Sequence, residues 1–95
     1  MGIFGTMSSV GKINSLLIKV ETQIQRVCVM KEDNRSENQI RMELREIGQM
    51  YNEAKHILEE CPGARGITYS CMGQKMYGRE IPDFIKGAII TLTFM

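Results

Sequence analysis

The sequence predicts an α+β domain: a long antiparallel helical hairpin over residues 9–61, then a small antiparallel sheet of two or three strands in 62–95. Three observations predict it. Apolar side chains at Val10, Ile13, Leu17, Val20, Ile24 and Val27 recur at three-then-four spacing. Ile40, Leu44, Ile47, Tyr51, Ala54, Leu58 and Cys61 do the same, so each segment has one apolar helical face. Beyond Pro62 the period switches to two at Ile67-Thr68-Tyr69-Ser70-Cys71-Met72, a run rich in strand formers.

The first helix is expected over about 9–30, with Ser8 or Ser9 as its N-cap. Lys31-Glu32-Asp33-Asn34-Arg35 is polar, and Ser36-Glu37-Asn38-Gln39 has capping-box form, so a second helix starts after Ser36. A connection this short makes the two helices antiparallel. In such a fold-back, facing positions add up to a constant, which pairs Ile13 with Leu58, Leu17 with Ala54, Val20 with Tyr51, Ile24 with Ile47 and Val27 with Leu44. The same register brings Lys12 level with Glu60, Lys19 with Glu53 and Arg26 with Glu46. Exposed ion pairs contribute at most about 1 kcal/mol each, whereas each fully buried large apolar side chain contributes about 1.5–3 kcal/mol. The apolar seam therefore holds the hairpin together and the charges select its register. Gly48 falls mid-helix near the level of Glu21, where a close helix approach, either within the hairpin or across a dimer, would account for it.

Cys61-Pro62-Gly63-Ala64-Arg65-Gly66 breaks the second helix, with glycine expected to supply a left-handed turn. Gly73-Gln74 has the form of a two-residue type II′ turn, returning the chain through 75–80. That pairing puts Ile67, Tyr69, Cys71 and Met76 on one face, toward the helices, and Thr68, Ser70, Lys75, Tyr77 and Arg79 on the other. Residues 81–84 read as a connection and 88–94 as a final, Thr-rich strand whose uncharged edge offers a route to pairing with a second copy.

Ninety-five residues make one domain with a single modest core. Leu16, Ile18, Met30, Met42, Met50 and Ile57 widen the seam beyond what two helices hide. Of these, Leu16, Ile18, Met42, Met50 and Ile57 are candidates for an interface in a homodimer or higher oligomer. The net charge of +1 argues against a strongly basic nucleic-acid binder. Residues 62–95 nevertheless carry four Lys/Arg against two Asp/Glu, which makes Arg65, Lys75, Tyr77, Arg79 and Lys86 the candidate anion site, since Arg with Tyr suits phosphate contact and base stacking. Three widely spaced cysteines leave an odd one over, as expected of reduced thiols in the cytoplasm.

No nucleophile elbow, phosphate loop or dinucleotide fingerprint is present. Glu53 and His56 have the Glu-x-x-His spacing of carboxylate-bridged metal sites, but the apolar seam turns both outward. A catalytic centre, a metal and a cofactor are therefore not expected. Met1-Gly2-Ile3-Phe4-Gly5-Thr6 matches the loose N-myristoylation pattern with Gly2 as acceptor, although no basic cluster follows to support a single acyl chain. Residues 1–8 are expected to be a flexible start, with Ile3 and Phe4 docking on the bundle. The functional expectation is a non-catalytic, homo-oligomeric interaction or regulatory module whose partners are itself and another protein. A nucleic-acid or phosphorylated-ligand binder is the alternative, and a membrane-associated assembly protein using Gly2 comes third.

Overall fold

The computed structural model describes residues 3–95, with side chains from Met7 onward; Gly2, and the docking expected of the Ile3 and Phe4 side chains, lie outside what is described. Helix α1 spans Ile3–Glu32 and α2 spans Glu37–Glu60, folded against each other as a hairpin. At about 1.5 Å per residue, α1 sets the 48 Å long axis of a molecule 22 × 17 Å across. It starts well before the expected Ser8 or Ser9 cap. No proline interrupts 3–8, and extending a formed helix costs far less than nucleating one.

The connection is built as the sequence requires. Arg35 N–H donates to the Met30 carbonyl at 3.0 Å and Asn34 N–H to that of Lys31 at 3.2 Å, with Asn34 left-handed at φ 54°. These are the two bonds of a Schellman stop. One residue later, the Ser36 hydroxyl accepts from Gln39 N–H at 3.3 Å and opens α2. Ile13, Val20, Val27 and Ile47 are fully buried, with Leu17, Ile24, Ala54 and Leu58 beside them. Tyr51 and Leu44 pack at the margin.

The charge stripes pair differently from expectation. Arg26 Nε lies 3.7 Å from Glu43 rather than reaching Glu46, and His56 is 3.7 Å from Glu60 within α2 itself. Neither Lys12–Glu60 nor Lys19–Glu53 is among the ion pairs of the described residues, although Lys12, Lys19 and Glu53 border one groove. The cause is Gln23, which is buried and donates to the Glu43 carbonyl (3.2 Å) and to its carboxylate. That bond fixes Glu43 where Arg26 can reach it. Gly48 has no neighbour within 4 Å of a Cβ position, so no close approach inside the hairpin explains it.

Pro62 ends α2, and the chain continues as a 3-10 turn, Pro62–Gly66, with none of the left-handed glycine expected there. Strands β1 (Thr68–Cys71) and β2 (Gln74–Tyr77) pair antiparallel, Tyr69 opposite Met76 and Ser70 opposite Lys75. The turn is Met72-Gly73, one residue earlier than expected, with φ of 54° and 79°. Two positive values make it type I′ rather than II′. Moving the turn by one residue shifts each pairing by two, which keeps every side chain on its face. Tyr69, Cys71 and Met76 are buried, and Thr68, Ser70, Lys75 and Tyr77 are exposed, as the alternation requires.

The last segment departs most from expectation. A second 3-10 turn, Gly78–Glu80, leads into a helix, α3, over Ile81–Thr93. Among the described residues there is no third strand, and residues 88–94 offer no strand edge for pairing with a second copy. Pro82 in the first turn and Asp83 beside it are helix-start residues. Ile81, Phe84, Ile85, Ala88, Ile89 and Leu92 form its inner face. α3 packs mainly on α2, with Thr93 sharing a groove with Lys31, Ile40 and Leu44 near the hairpin connection, so it runs antiparallel to α2. The sheet covers the other half of the hairpin, where the Cys71 thiol donates to the Leu17 carbonyl at 3.7 Å.

Candidate functional site

Two surfaces remain once the core is accounted for. The first is the basic tail. Gly78 N–H donates to the Ile67 carbonyl at 2.9 Å and packs on Ala64 and Arg65. This brings the Arg65 backbone beside Tyr77 and Arg79, which are far from it in sequence. The Arg79 guanidinium stacks over the Tyr77 ring at 4.6 Å, a contact of about 0.5–1 kcal/mol when exposed.

Arg65 and Glu80 are already engaged. Arg65 Nε donates to the Leu58 carbonyl at 2.9 Å, satisfying an end of α2 that the chain turn leaves open. Glu80 accepts from Tyr77 N–H at 2.7 Å. Lys75 borders a shallow groove with Glu80, Asp83 and Phe84, and Lys86 stands on α3 outside that groove. The expected five residues thus become one stacked Arg–Tyr pair with flanking charges of both signs.

The second surface is the outer side of α1. Among the candidate interface residues, Leu16 (2 % exposed) and Ile57 (9 %) belong to the core of the single chain, and Met50 is half-buried; Leu16 and Ile57 are thus not available to a partner. Ile18 and Met42 are both 67 % exposed. Ile18 lies on a helical face, opposite the core, that also holds Met7, Gly11, Asn14, Thr22, Gln25 and Val29, every one exposed. None of the seven is charged. The outer face of a surface helix normally carries its charges; here they sit to one side, at Lys12, Lys19 and Arg26. Thr22, Gln25, Val29 and Met42 also border a groove of about 670 Å³ between α1 and α2 beside the hairpin connection, rimmed by Arg26, Asp33, Arg35 and Glu43.

Met7 and Val29 escape a reading that follows only the core seam. The eleven-residue steps from Met7 to Ile18 and from Ile18 to Val29 carry the signal, since eleven residues bring a helix back to the same side after three turns. A smaller apolar groove of about 450 Å³ between α1 and α3, lined by Ile24, Cys28, Phe84, Ala88 and Leu92, depends on the helical form of α3.

Other chemistry is sparse. His56 and Glu53 are both exposed, and Cys61 is buried. The described residues hold no cluster of three His, Cys, Asp or Glu suited to a metal ion. Burial raises the Cys71 thiol above its ordinary value, with the nearby Glu21 carboxylate adding to it. Burial likewise raises Tyr69, helped by Cys61; its hydroxyl donates to the Ala64 carbonyl at 3.3 Å. Both groups serve packing. No helix of the described residues is long and apolar enough to cross a membrane. The chain matches no protein-family model, no curated protein and no solved structure.

Proposed function

We propose that the protein is a non-catalytic interaction module, homo-oligomeric in its working form, that presents α1 as its contact element. One observation carries this reading. Over residues 7–29, about 33 Å of helix at 1.5 Å per residue, the side of α1 opposite the core has no charge and exposes Met7, Ile18 and Val29. An uncharged helical face of that length is a surface that a partner can cover without burying a charge. Its cysteine usage, with Cys28 and Cys71 as free thiols, supports a reducing compartment such as the cytoplasm.

Multi-angle light scattering across a concentration series tests this. The expected result is a mass rising above the 10.8 kDa of one chain; a single-chain mass throughout would refute self-association.

The stacked Arg79–Tyr77 pair supports a second reading, a phosphorylated or nucleic-acid ligand held against the tail with Arg65 and Lys75. The flanking Glu80 and Asp83 weaken it. Its signature is salt-dependent binding of RNA, DNA or nucleotides that Arg79→Ala abolishes. Because the chain has no Trp, co-purified nucleotide would also be conspicuous at 260 nm.

A further inference from the structure

We infer that the groove between α1 and α3 is a binding site for a small hydrophobic ammonium ion, its apolar body lying along the groove and its charged head at Asp83. This surface is separate from the outer face of α1, so the inference goes beyond the self-association reading and does not depend on it.

The groove, of about 450 Å³, falls within the size range of small-molecule sites. Its walls are Ile24 and Cys28 on α1, Phe84, Ala88 and Leu92 on α3, and Met72 at the turn between the strands. It follows α3 from Asp83 to Leu92, about 14 Å at 1.5 Å per residue, a length that suits a short alkyl or arylalkyl chain. Among the described residues, Asp83 is the one charged residue that lines it. The Asp83 carboxylate has no hydrogen bond or ion pair among those residues.

The charges around that end are predominantly negative. Asp83 and Phe84 also border the shallow groove that holds Glu80 and Lys75. Glu21, two turns before Cys28 on the same flank of α1, lies near enough to Cys71 to help raise its thiol. Three carboxylates thus stand against the single ammonium of Lys75. Arg79 is stacked on Tyr77 at the exposed face of the sheet. Lys86, seven residues before Thr93, sits on the α2 flank of α3, away from the groove. At the far end Lys31 donates to the Met95 carbonyl and Glu32 follows it in the chain, so the charges there balance. The positive start of α3 offsets part of the Asp83 charge but supplies no counter-ion. A carboxylate-headed ligand would therefore meet its own sign at the one charged point of the groove, and an ammonium meets the opposite one. Phe84 adds an aromatic ring beside that point, and ring faces attract ammonium ions.

The test uses Cys28, the thiol in the groove wall, since Cys61 and Cys71 are buried in the core. Its alkylation by iodoacetamide at neutral pH, located by peptide mass mapping, is followed with octylammonium, octanol or octanoate present. The three probes share a tail and differ in the head. Octylammonium is expected to protect Cys28 at the lowest concentration, octanol next and octanoate least. Asp83→Asn, at an exposed position, should weaken octylammonium about fivefold, the scale of a solvent-accessible ion pair, and leave octanol unchanged; Asp83→Glu should restore the order. Absence of protection by any probe overturns the site. Equal protection by all three, best protection by octanoate, or an octylammonium preference that survives Asp83→Asn overturns the head-group assignment and the inference with it. Each outcome is read on Cys28 and leaves the oligomeric mass to its own measurement.

Discussion

A methyl group at residue 78 has no room, because a Cβ there would overlap the Ala64 carbonyl oxygen and sit 3.1 Å from Arg65 Cα. The obstacle is the backbone of Ala64 and Arg65, so no side chain can swing away. Gly78→Ala is expected to cost about 2 kcal/mol or more, read as a lowered urea midpoint at unchanged slope. Gly48 is the opposite case. Open space surrounds it, and Gly48→Ala should raise stability by about 1 kcal/mol through helix propensity alone. The two substitutions are chemically identical, and only the surroundings give them opposite signs.

Cys71 and Tyr69 give a pH signature. Both are acids whose protonated form the fold favours, so the folded chain holds protons that the unfolded chain would release. Their contribution is intact below the unfolded values of 9.0 for Cys71 and 10.0 for Tyr69, and is lost as pH rises past them. Denaturation midpoints should thus fall on the alkaline side, with Tyr69→Phe and Cys71→Ala together flattening that fall.

Among the elements, the hairpin was legible and α3 was not, for reasons visible in particular residues. The hairpin announces itself through long periodicity and a stop-and-start signal, Asn34 with Ser36, whose backbone bonds form as the residue types require. Ser36→Ala should lower stability by about 1 kcal/mol, measured by thermal melts. In α3, the β-branched residues of 89–91 favour a strand locally, and thirteen residues are too few for periodicity to overrule them unaided. The helical pattern is present nonetheless: Ile81, Phe84, Ile85, Ala88, Ile89 and Leu92 return every three or four residues, starting before Pro82. Reading Pro82 as a connection, when it is a first-turn helix residue, hid that half of the pattern. Ile85 is fully buried and Ile90 is 49 % exposed. Ile85→Ala is accordingly expected to cost about 3 kcal/mol and Ile90→Ser less than about 0.5 kcal/mol, a contrast that a strand alternating from residue 88 would not give.

For the molecule as a whole, α1 is the element with an apolar inner side and an uncharged outer one. One side, Ile13, Val20 and Val27, is consumed by the core; the other is open. The candidate surface was half visible in the sequence. Ile18 and Met42 are isolated by their place beside the seam, but Leu16 and Ile57 occupy similar flanks and turn out to be covered. Which flank is covered depends on where the tail lies, and that is a long-range fact no local spacing encodes.

The placement of α3 has a consequence for what the hairpin can do without it. α3 closes against α2 and ends beside Lys31, whose ammonium donates to the Met95 carbonyl at 3.3 Å. If α3 is removed, the two hairpin helices keep their own seam but lose the element packed on their other side. Ile40, Leu44 and the outer edge of Ile24 are then uncovered. A chain stopped after Tyr77 should therefore be captured by holdase chaperones and clump when purified, although every residue of its hairpin is intact.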